Sequence, residues 1–162
     1  MASMRQVSEE TLNLIKYFEG LHKVYGNTII PYRDAVGFWT IGYGHLITRD
    51  RSLKPFPNGL KIESISELHA TKVLLAEDLE KFERGVIRLI KVPLTDGQFG
   101  ALVSFSFNLG LGSLQASTLR KKVNEENHEE ASKQFNRWVF AGGRKLKGLV
   151  LRRRAESQLY LS

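Results

Sequence analysis

A change of residue pattern divides this chain into a short part rich in glycine and aromatic residues and a long helical part. Within residues 24–44, short apolar runs alternate with glycines, which is typical of small strands joined by tight turns. After residue 62, apolar residues recur at helical spacing, and capping-box patterns begin at Ser64 and Thr95. The sequence therefore predicts an α+β chain that is mostly helical.

Local residue signals predict where individual helices and turns lie. Ser8 is expected to cap a helix that Gly20 ends, and Gly26-Asn27 is expected to turn a β-hairpin. From Ser64, a helix of about 25 residues is predicted to link two lobes until Pro93 ends it. Later helices are predicted to begin near Thr95, Ser117, Asn127 and Lys147.

Composition excludes several classes of protein. The 162 residues include no Cys, which excludes a disulfide scaffold, a thiolate metal site and a Cys nucleophile. No run approaches the roughly 18–20 apolar residues that a membrane span needs. The first 16 residues contain charged side chains and no apolar stretch, so no secretory signal peptide is expected. The four His residues lack metal-ligand spacing, and we expect neither a metal nor a cofactor.

Positive charge is concentrated near the C-terminus. The chain has 24 Lys and Arg against 17 Asp and Glu, and residues 144–154 hold six basic residues and no acid. These six are Arg144, Lys145, Lys147, Arg152, Arg153 and Arg154. Such a cluster favours polyanions such as nucleic acid, anionic lipid or an acidic cell wall, and it is also typical of a solvated helix face. We expect residues 147–160 to form an amphipathic helix with its charges facing outward.

The segment from Glu19 to His45 carries the strongest indication of chemistry. Glu19 falls at the predicted C-terminus of a helix, where the helix dipole disfavours a negative charge, and this points to a role other than stability. Glycosidic bond cleavage needs two carboxyl groups in different surroundings, one as proton donor and one ionised. Asp34 is a candidate for the second group, and the Thr40 hydroxyl is a candidate for holding a water.

Short motifs extend over nearly the whole chain in a fixed order. They are YFEGL (17–21), PYRDAVG (31–37), WTIGYGH (39–45), LTDGQF (94–99), SFSFNLG (104–110), Trp138, Gly142-Gly143 and GLVLRRRAE (148–156). Together they resemble the phage-type lysozymes, or endolysins, of glycoside hydrolase family 24. The resemblance implies one lysozyme-like catalytic domain with a β-containing lobe over about residues 1–62, a long linking helix and a helical lobe over about residues 63–162. It implies no separate wall-binding domain.

The resemblance also assigns roles to individual residues. It implies hydrolysis of the β-1,4 bond between N-acetylmuramic acid and N-acetylglucosamine in bacterial peptidoglycan, with Glu19 as general acid, Asp34 activating water and Thr40 helping to hold that water. Because 14 residues separate Glu19 from Asp34, about six more than in the family pattern, we expect a lengthened hairpin within residues 22–30. His45 is expected to support the active-site loop by hydrogen bonding. Substrate contacts are implied at Leu46, Phe107, Thr118 and Gln134.

The biological setting follows from the same resemblance. A bacteriophage enzyme of this kind is expected to be monomeric and to accumulate in the bacterial cytoplasm without a signal peptide. It then reaches the wall in the periplasm through a separate holin and causes host-cell lysis. Two alternatives remain open: a catalytically inactive wall-binding protein with this fold, and a basic nucleic-acid-binding module. No specific nucleic-acid partner is expected, because no helix-turn-helix, zinc-finger or RNA-binding motif occurs.

Overall fold

The computed structural model describes residues 5–162 and separates them into two compact units. The first unit contains residues 5–15 together with Leu79–Ser162, and the second contains Lys16–Asp78. The fold is α+β and mostly helical, as the sequence predicts. Among the described residues, no helix has the length and apolar character needed to cross a membrane. Residues 1–4, on which the signal-peptide expectation partly rests, lie outside the described residues.

Helix α1 comprises Glu9–Glu19, with both ends where the sequence indicates them. At its start, Ser8 Oγ accepts a hydrogen bond from the Thr11 backbone N–H at 3.2 Å, which satisfies one of the free donors of the first turn. At its end, Gly20 adopts φ +70°, a left-handed conformation that costs glycine little. The predicted cap and stop of this helix are confirmed.

Two small antiparallel sheets belong to the second unit. The first has the strand order β1-β2-β6 and consists of β1 (Val24–Tyr25), β2 (Thr28–Ile29) and β6 (Ile65–Ser66). The second has the order β3-β4-β5 and consists of β3 (Tyr32–Arg33), β4 (Trp39–Ile41) and β5 (His45–Thr48). The predicted Gly26-Asn27 turn joins β1 to β2, so residues 22–30 do contain a hairpin.

A continuous helical stretch follows β6. It consists of α2 (Glu67–His69), a π-helical segment (Ala70–Leu75) and α3 (Ala76–Leu89). Its cap is Ser66, whose Oγ accepts from the His69 backbone N–H at 3.1 Å. The prediction of a cap at Ser64 is wrong, because Ile65 and Ser66 still pair with β2 and the helix cannot begin before that strand ends.

The remaining elements lie in the first unit. They are α4 (Asp96–Leu109), α5 (Leu111–Gln115), α6 (Thr118–Asn124), α7 (His128–Gln134), a 3₁₀ turn (Phe135–Arg137), β7 (Phe140–Ala141), β8 (Arg144–Lys145) and α8 (Lys147–Leu161). Thr95 and Gln98 form the predicted capping box of α4, with Thr95 Oγ1 accepting from the Gln98 N–H at 3.1 Å. Ser117 and Asn127 cap α6 and α7 as predicted. The β7–β8 hairpin was not predicted.

The core of the first unit is built around α4. Helix α4 packs on α8, and Phe105 makes edge-on ring contacts with Phe135 and Trp138 at centroid distances of 5.8 and 5.4 Å. Gly100 of α4 faces Thr11 of α1 so closely that an added Cβ would collide with Thr11 Oγ1. A side chain at position 100 would therefore push these two helices apart.

The basic residues of α8 do not all face outward, which corrects the sequence expectation. Arg152 is 3% exposed and Arg153 and Glu156 are 0% exposed. Arg153 Nε lies 2.8 Å from Glu156 Oε1, and Arg152 Nε lies 3.2 Å from Oε2. Ser104 Oγ donates to Oε2 at 2.5 Å. Buried charges need partners, and Glu156 is placed one turn along the helix to supply them. The exposed members of the basic cluster are Arg144, Lys145, Lys147 and Arg154.

Candidate active site

Glu19 is the last residue of α1 and is half-buried. The backbone of Gly44, which has φ +83°, passes beside its carboxylate: a Cβ added at Gly44 would lie 4.0 Å from Glu19 Oε2. The glycines of the 39–45 motif thus let the chain turn between β4 and β5 close to this carboxyl group.

Asp34 is held by the tight turn that it begins. Its Oδ1 accepts hydrogen bonds from the backbone N–H groups of Val36 at 3.0 Å and Phe38 at 2.9 Å. Its own N–H donates to the Phe38 carbonyl at 2.9 Å. No hydrogen bond from the described part of the chain reaches Oδ2. The carboxylate is therefore fixed through one oxygen and offers the other to a water or a ligand.

Thr40 lies at the centre of the β3-β4-β5 sheet. Its partner on β3 is Tyr32 and its partner on β5 is Leu46, so these three side chains form a row on one sheet face. Thr40 is 4% exposed, and its hydroxyl donates to the Phe38 carbonyl at 3.1 Å. Since the hydroxyl proton is committed to that carbonyl, Thr40 can hold a water only as an acceptor.

Tyr32 connects the two carboxyl groups electrostatically. Burial raises the pKa of its phenol above the ordinary 10.0, and the nearby charges of Asp34 and, to a smaller extent, Glu19 raise the pKa further. Both carboxylates therefore lie within electrostatic reach of one hydroxyl group. The sequence motifs do not by themselves single out Tyr32, although its position two residues before Asp34 in an alternating strand pattern puts both on one face.

His45 pairs with Asp78. Its Nδ1 lies 2.9 Å from Asp78 Oδ2 and 3.1 Å from Oδ1, and both side chains are partly buried. This contact ties the start of β5 to α3 within the second unit. A partner 33 residues along the chain gives no short-range signal in the sequence, so Asp78 could not be identified there.

The other predicted substrate contacts lie in the first unit. Thr118 and Gln134 line one pocket of about 290 Å³, together with Trp138 and Arg137. Arg137 Nη1 donates to Gln134 Oε1 at 3.3 Å, which orients that amide. Phe107 packs edge-on against Phe82 of α3 at 5.3 Å between ring centroids. The structure thus brings Thr118 and Gln134 together in one pocket. Phe107 does not line that pocket and packs against Phe82 instead.

No metal site accompanies these residues in the described part of the chain. Residues 5–162 contain no group of three or more His, Asp or Glu side chains arranged to hold an ion. The chemistry available at the second-unit site is that of two carboxyl groups, a buried hydroxyl and a phenol.

These motifs match a known protein family. The model of the phage lysozyme family matches residues 17–156, which include every motif residue discussed above. The chain belongs to the phage lysozyme family. An endolysin of Bacillus phage B103 is 41% identical over 96% of this chain, which covers 54% of that protein. The chain thus spans about half the length of this relative.

Members of the family also match over their full length. An endolysin of Acyrthosiphon pisum secondary endosymbiont phage 1 is 34% identical over 96% of this chain and 98% of its own. Among solved structures, a mutant of phage P22 lysozyme shares 31% identity and superposes with a TM-score of 0.80 over 98% of this chain and 100% of that one. The lysozyme fold expected from the motifs is confirmed.

Proposed function

We propose that this protein is an endolysin, a muramidase that hydrolyses the β-1,4 bond between N-acetylmuramic acid and N-acetylglucosamine in bacterial peptidoglycan. Family membership supports the class of reaction. The observation that carries the residue roles is the pair of carboxyl groups acting on Tyr32, since two carboxyl groups near one site are the minimum that glycosidic cleavage requires.

In this proposal, Glu19 is the general acid. It donates a proton to the glycosidic oxygen as the bond to the anomeric carbon breaks, and positive charge develops on the sugar ring. The Gly44 backbone beside its carboxyl group leaves room for a sugar, because no side chain occupies that position.

Asp34 activates the attacking water. Two backbone N–H groups hold Oδ1 in place, which leaves Oδ2 to accept a proton from the water. Thr40 helps to hold that water through a lone pair, because its own proton is donated to Phe38. The Leu46 side chain in the same row offers an apolar contact for the substrate.

Replacing the general acid tests the proposal directly. Glu19→Gln keeps the shape of the side chain and removes the proton donor, so loss of turbidity of a peptidoglycan suspension should slow by about 10²–10⁴-fold. Glu10→Gln makes the same change at an exposed position of the same helix and should leave the rate unchanged. Thermal unfolding should show that both variants fold. Activity of Glu19→Gln equal to that of the wild type would contradict the assignment.

The same measurement separates the alternatives. A wall-binding protein without activity would sediment with peptidoglycan and leave its turbidity constant. A nucleic-acid-binding module would form a complex with duplex DNA at physiological salt, which the muramidase proposal does not expect. The burial of Arg152 and Arg153 weakens this alternative, because two of its six basic residues cannot contact a phosphate backbone.

The proposal extends to partners on the wall. Exposed Arg144, Lys145, Lys147 and Arg154 would attract the enzyme to anionic cell-surface polymers by long-range charge. Release from the cytoplasm to the wall through a separate holin belongs to the same proposal, as does action as a monomer.

A further inference from the structure

The first unit contains a small pocket between the 3₁₀ turn, β8 and one face of α8. It has a volume of about 300 Å³ and shares no lining residue with the pocket of Thr118 and Gln134. We call it the α8 pocket. Its lining includes two cations, two side-chain amides and two valines: Lys145, Arg154, Asn136, Gln158, Val139 and Val150. Within residues 5–162, no acidic side chain lines it.

Backbone structure fixes the walls of the α8 pocket. Helix α8 contributes four residues of one face, spaced one to two turns apart: Val150, Arg154, Ser157 and Gln158. Ser157 Oγ donates to the Ser132 carbonyl at 2.7 Å, which ties this face to α7. Lys145 belongs to β8, and the Leu146 N–H that follows donates to the Val139 carbonyl at 3.0 Å. The pocket is therefore formed before any ligand enters, which lowers the entropic cost of binding.

The two cations of the pocket have no acidic partner. Lys145 and Arg154 are exposed, and neither forms an ion pair with the part of the chain that the structure describes. Other cations on helices of this unit are paired with an acid one turn away: Arg84 with Glu80, Lys122 with Glu125 and Lys133 with Glu129. No acid stands three or four residues from Arg154. The positive charge of the pocket is therefore left for a ligand.

The arrangement of donors favours phosphate over carboxylate. Arg154 offers a planar fork of N–H groups, Lys145 offers a point charge, and Asn136 and Gln158 offer amide N–H groups. These donors come from three separate segments of the chain and so approach the pocket from different directions. Hydrogen bonds to a carboxylate lie near its plane, whereas a phosphate group presents its oxygens at the corners of a tetrahedron.

Positive charge continues along the surface beyond the pocket. Arg144 and Lys147 are exposed and lie beside Lys145 in the chain, but they do not line the pocket. A ligand with one phosphate would use the pocket alone, whereas a chain with a phosphate in every repeat would also meet these two cations. Small-molecule sites have volumes of roughly 300–1,000 Å³, so the pocket is large enough for about one such repeat.

We propose that the α8 pocket binds a phosphodiester group of an anionic cell-wall polymer, with Arg154 and Lys145 as the contacting cations. This inference rests on the proposed muramidase function, which brings the enzyme to the wall. It replaces a general attraction by charge with a defined site. Because the pocket contains none of the proposed catalytic residues, binding there holds the enzyme at the wall and takes no part in hydrolysis.

The test removes the same charge inside and outside the pocket. Glycerophosphoglycerol, which contains one phosphodiester, is titrated at physiological salt, where charges are screened beyond about 8 Å, and NMR chemical shifts report binding. In the wild type, shifts are expected at residues 145, 154 and 158. Arg154→Gln and Lys145→Gln should each weaken binding about tenfold. Arg144→Gln and Lys147→Gln, the matched controls, should leave the affinity unchanged.

The outcomes of this titration are distinct. All four side chains are exposed, so the variants should unfold at the same temperature as the wild type. Equal affinity of the wild type, Arg154→Gln and Lys145→Gln would overturn the proposal. Equal weakening in all four variants would show that net charge decides the affinity, and it would overturn the proposal as well.

Further ligands distinguish the sources of the anion. Soluble poly(glycerol phosphate) should bind more tightly than glycerophosphoglycerol, and inorganic phosphate should compete with both. Polyglutamate of the same length and an affinity equal to that of poly(glycerol phosphate) would show that any polyanion suffices and would overturn the proposal. Vesicles of phosphatidylglycerol present the same phosphodiester on a membrane. Binding to them through Arg154, without binding to the soluble polymer, would assign the pocket to a lipid headgroup and also overturn it.

Hydrolysis by the same variants keeps this inference separate from the muramidase proposal. Arg154→Gln should hydrolyse a short neutral chitooligosaccharide at the rate of the wild type. Shifts at the pocket that weaken in Arg154→Gln support the site even if no substrate is hydrolysed. The absence of such shifts in an enzyme that does hydrolyse peptidoglycan would overturn the pocket assignment and leave the muramidase proposal intact.

Discussion

At the scale of the residue, Tyr32 reports on the two carboxyl groups proposed for catalysis. Its half-buried phenol has a raised pKa because burial, Asp34 and Glu19 all disfavour a third negative charge at this place. The Tyr32 ring also lies against the His22 ring, and the two line an open pocket of the second unit. One side chain thus feels the charge of both carboxyl groups and packs its ring on His22.

Removing one of these charges should lower the pKa of Tyr32. Asp34→Asn keeps an oxygen that can accept from Val36 and Phe38 but carries no charge, so the phenol should ionise at lower pH than in the wild type. The measurement is the phenolate absorbance as pH rises, with Tyr32→Phe identifying the Tyr32 signal by difference. Titration of Tyr32 at the same pH in wild type and Asp34→Asn would show that Asp34 does not act on it.

The raised pKa of Tyr32 also makes the free energy of unfolding depend on pH. Since the folded pKa of Tyr32 lies above the unfolded value near 10.0, the unfolded chain loses this proton first as pH rises. The free energy of unfolding therefore falls with pH above 10, and Asp34→Asn should reduce that fall. Glu10→Gln, which removes a charge from an exposed site, should leave the titration of Tyr32 unchanged.

At the scale of the element, the sequence predicts helix ends better than it predicts the strands between them. Ser8, Gly20, Ser117 and the Thr95 capping box act through neighbours within four residues, so their effect is visible in a short stretch of sequence. Ser64 matched the same pattern and failed, because pairing of Ile65 with β2 competes for the same residues. That pairing depends on a strand far along the chain.

The basic residues of α8 also show that contacts far along the chain are not visible in a short stretch of sequence. Three consecutive arginines are typical of a solvated helix face, yet two of them are buried on Glu156 and Ser104. Glu156 at the i+3 and i+4 positions was visible in the sequence, but the Ser104 contact comes from α4. The roles proposed for Glu19, Asp34 and Thr40, by contrast, rest on ordered motifs, each of which lies within a short stretch of sequence.

The β7–β8 hairpin and the start of α8 carry the exposed basic residues, which gives a prediction for wall binding. Replacing Arg144, Lys145 and Lys147 by Gln should weaken binding to intact walls at low salt and flatten its salt dependence, because exposed charges act through a screening solvent. Hydrolysis of a short neutral chitooligosaccharide should change little. Binding is measured by cosedimentation at a series of salt concentrations.

The matched control removes three exposed lysines elsewhere. Lys54, Lys61 and Lys72 replaced by Gln give the same change in net charge outside the hairpin, and wall binding should fall less. If the two triple variants bind walls equally, the attraction reflects net charge alone and the hairpin has no special part in it.

At the scale of the whole molecule, the stability of the fold depends on one buried ionic cluster, formed by Arg152, Arg153 and Glu156. Glu156 compensates two buried guanidinium groups, and a folded domain has only about 5–15 kcal/mol of free energy of unfolding. Glu156→Gln should lower that free energy by about 3–5 kcal/mol, because it leaves buried charge uncompensated. Urea denaturation measures the change.

An exposed ion pair provides the comparison for this prediction. Glu129 is paired with Lys133 and its side chain is 87% exposed, so Glu129→Gln should cost less than about 1 kcal/mol. A loss for Glu156→Gln as small as that for Glu129→Gln would show that the cluster contributes little to stability.

The order of the chain within the first unit has a consequence for synthesis on the ribosome. Residues 5–15 belong to this unit, and Thr11 is completely buried against Gly100, but residues 79–162 leave the ribosome only after the whole of residues 16–78. The second unit is contiguous, so all its own contacts are available while the first unit still lacks most of its chain. The part of α1 that belongs to the first unit therefore has no packing partner from residues 79–162 during most of translation. Its apolar side stays exposed until translation is nearly complete.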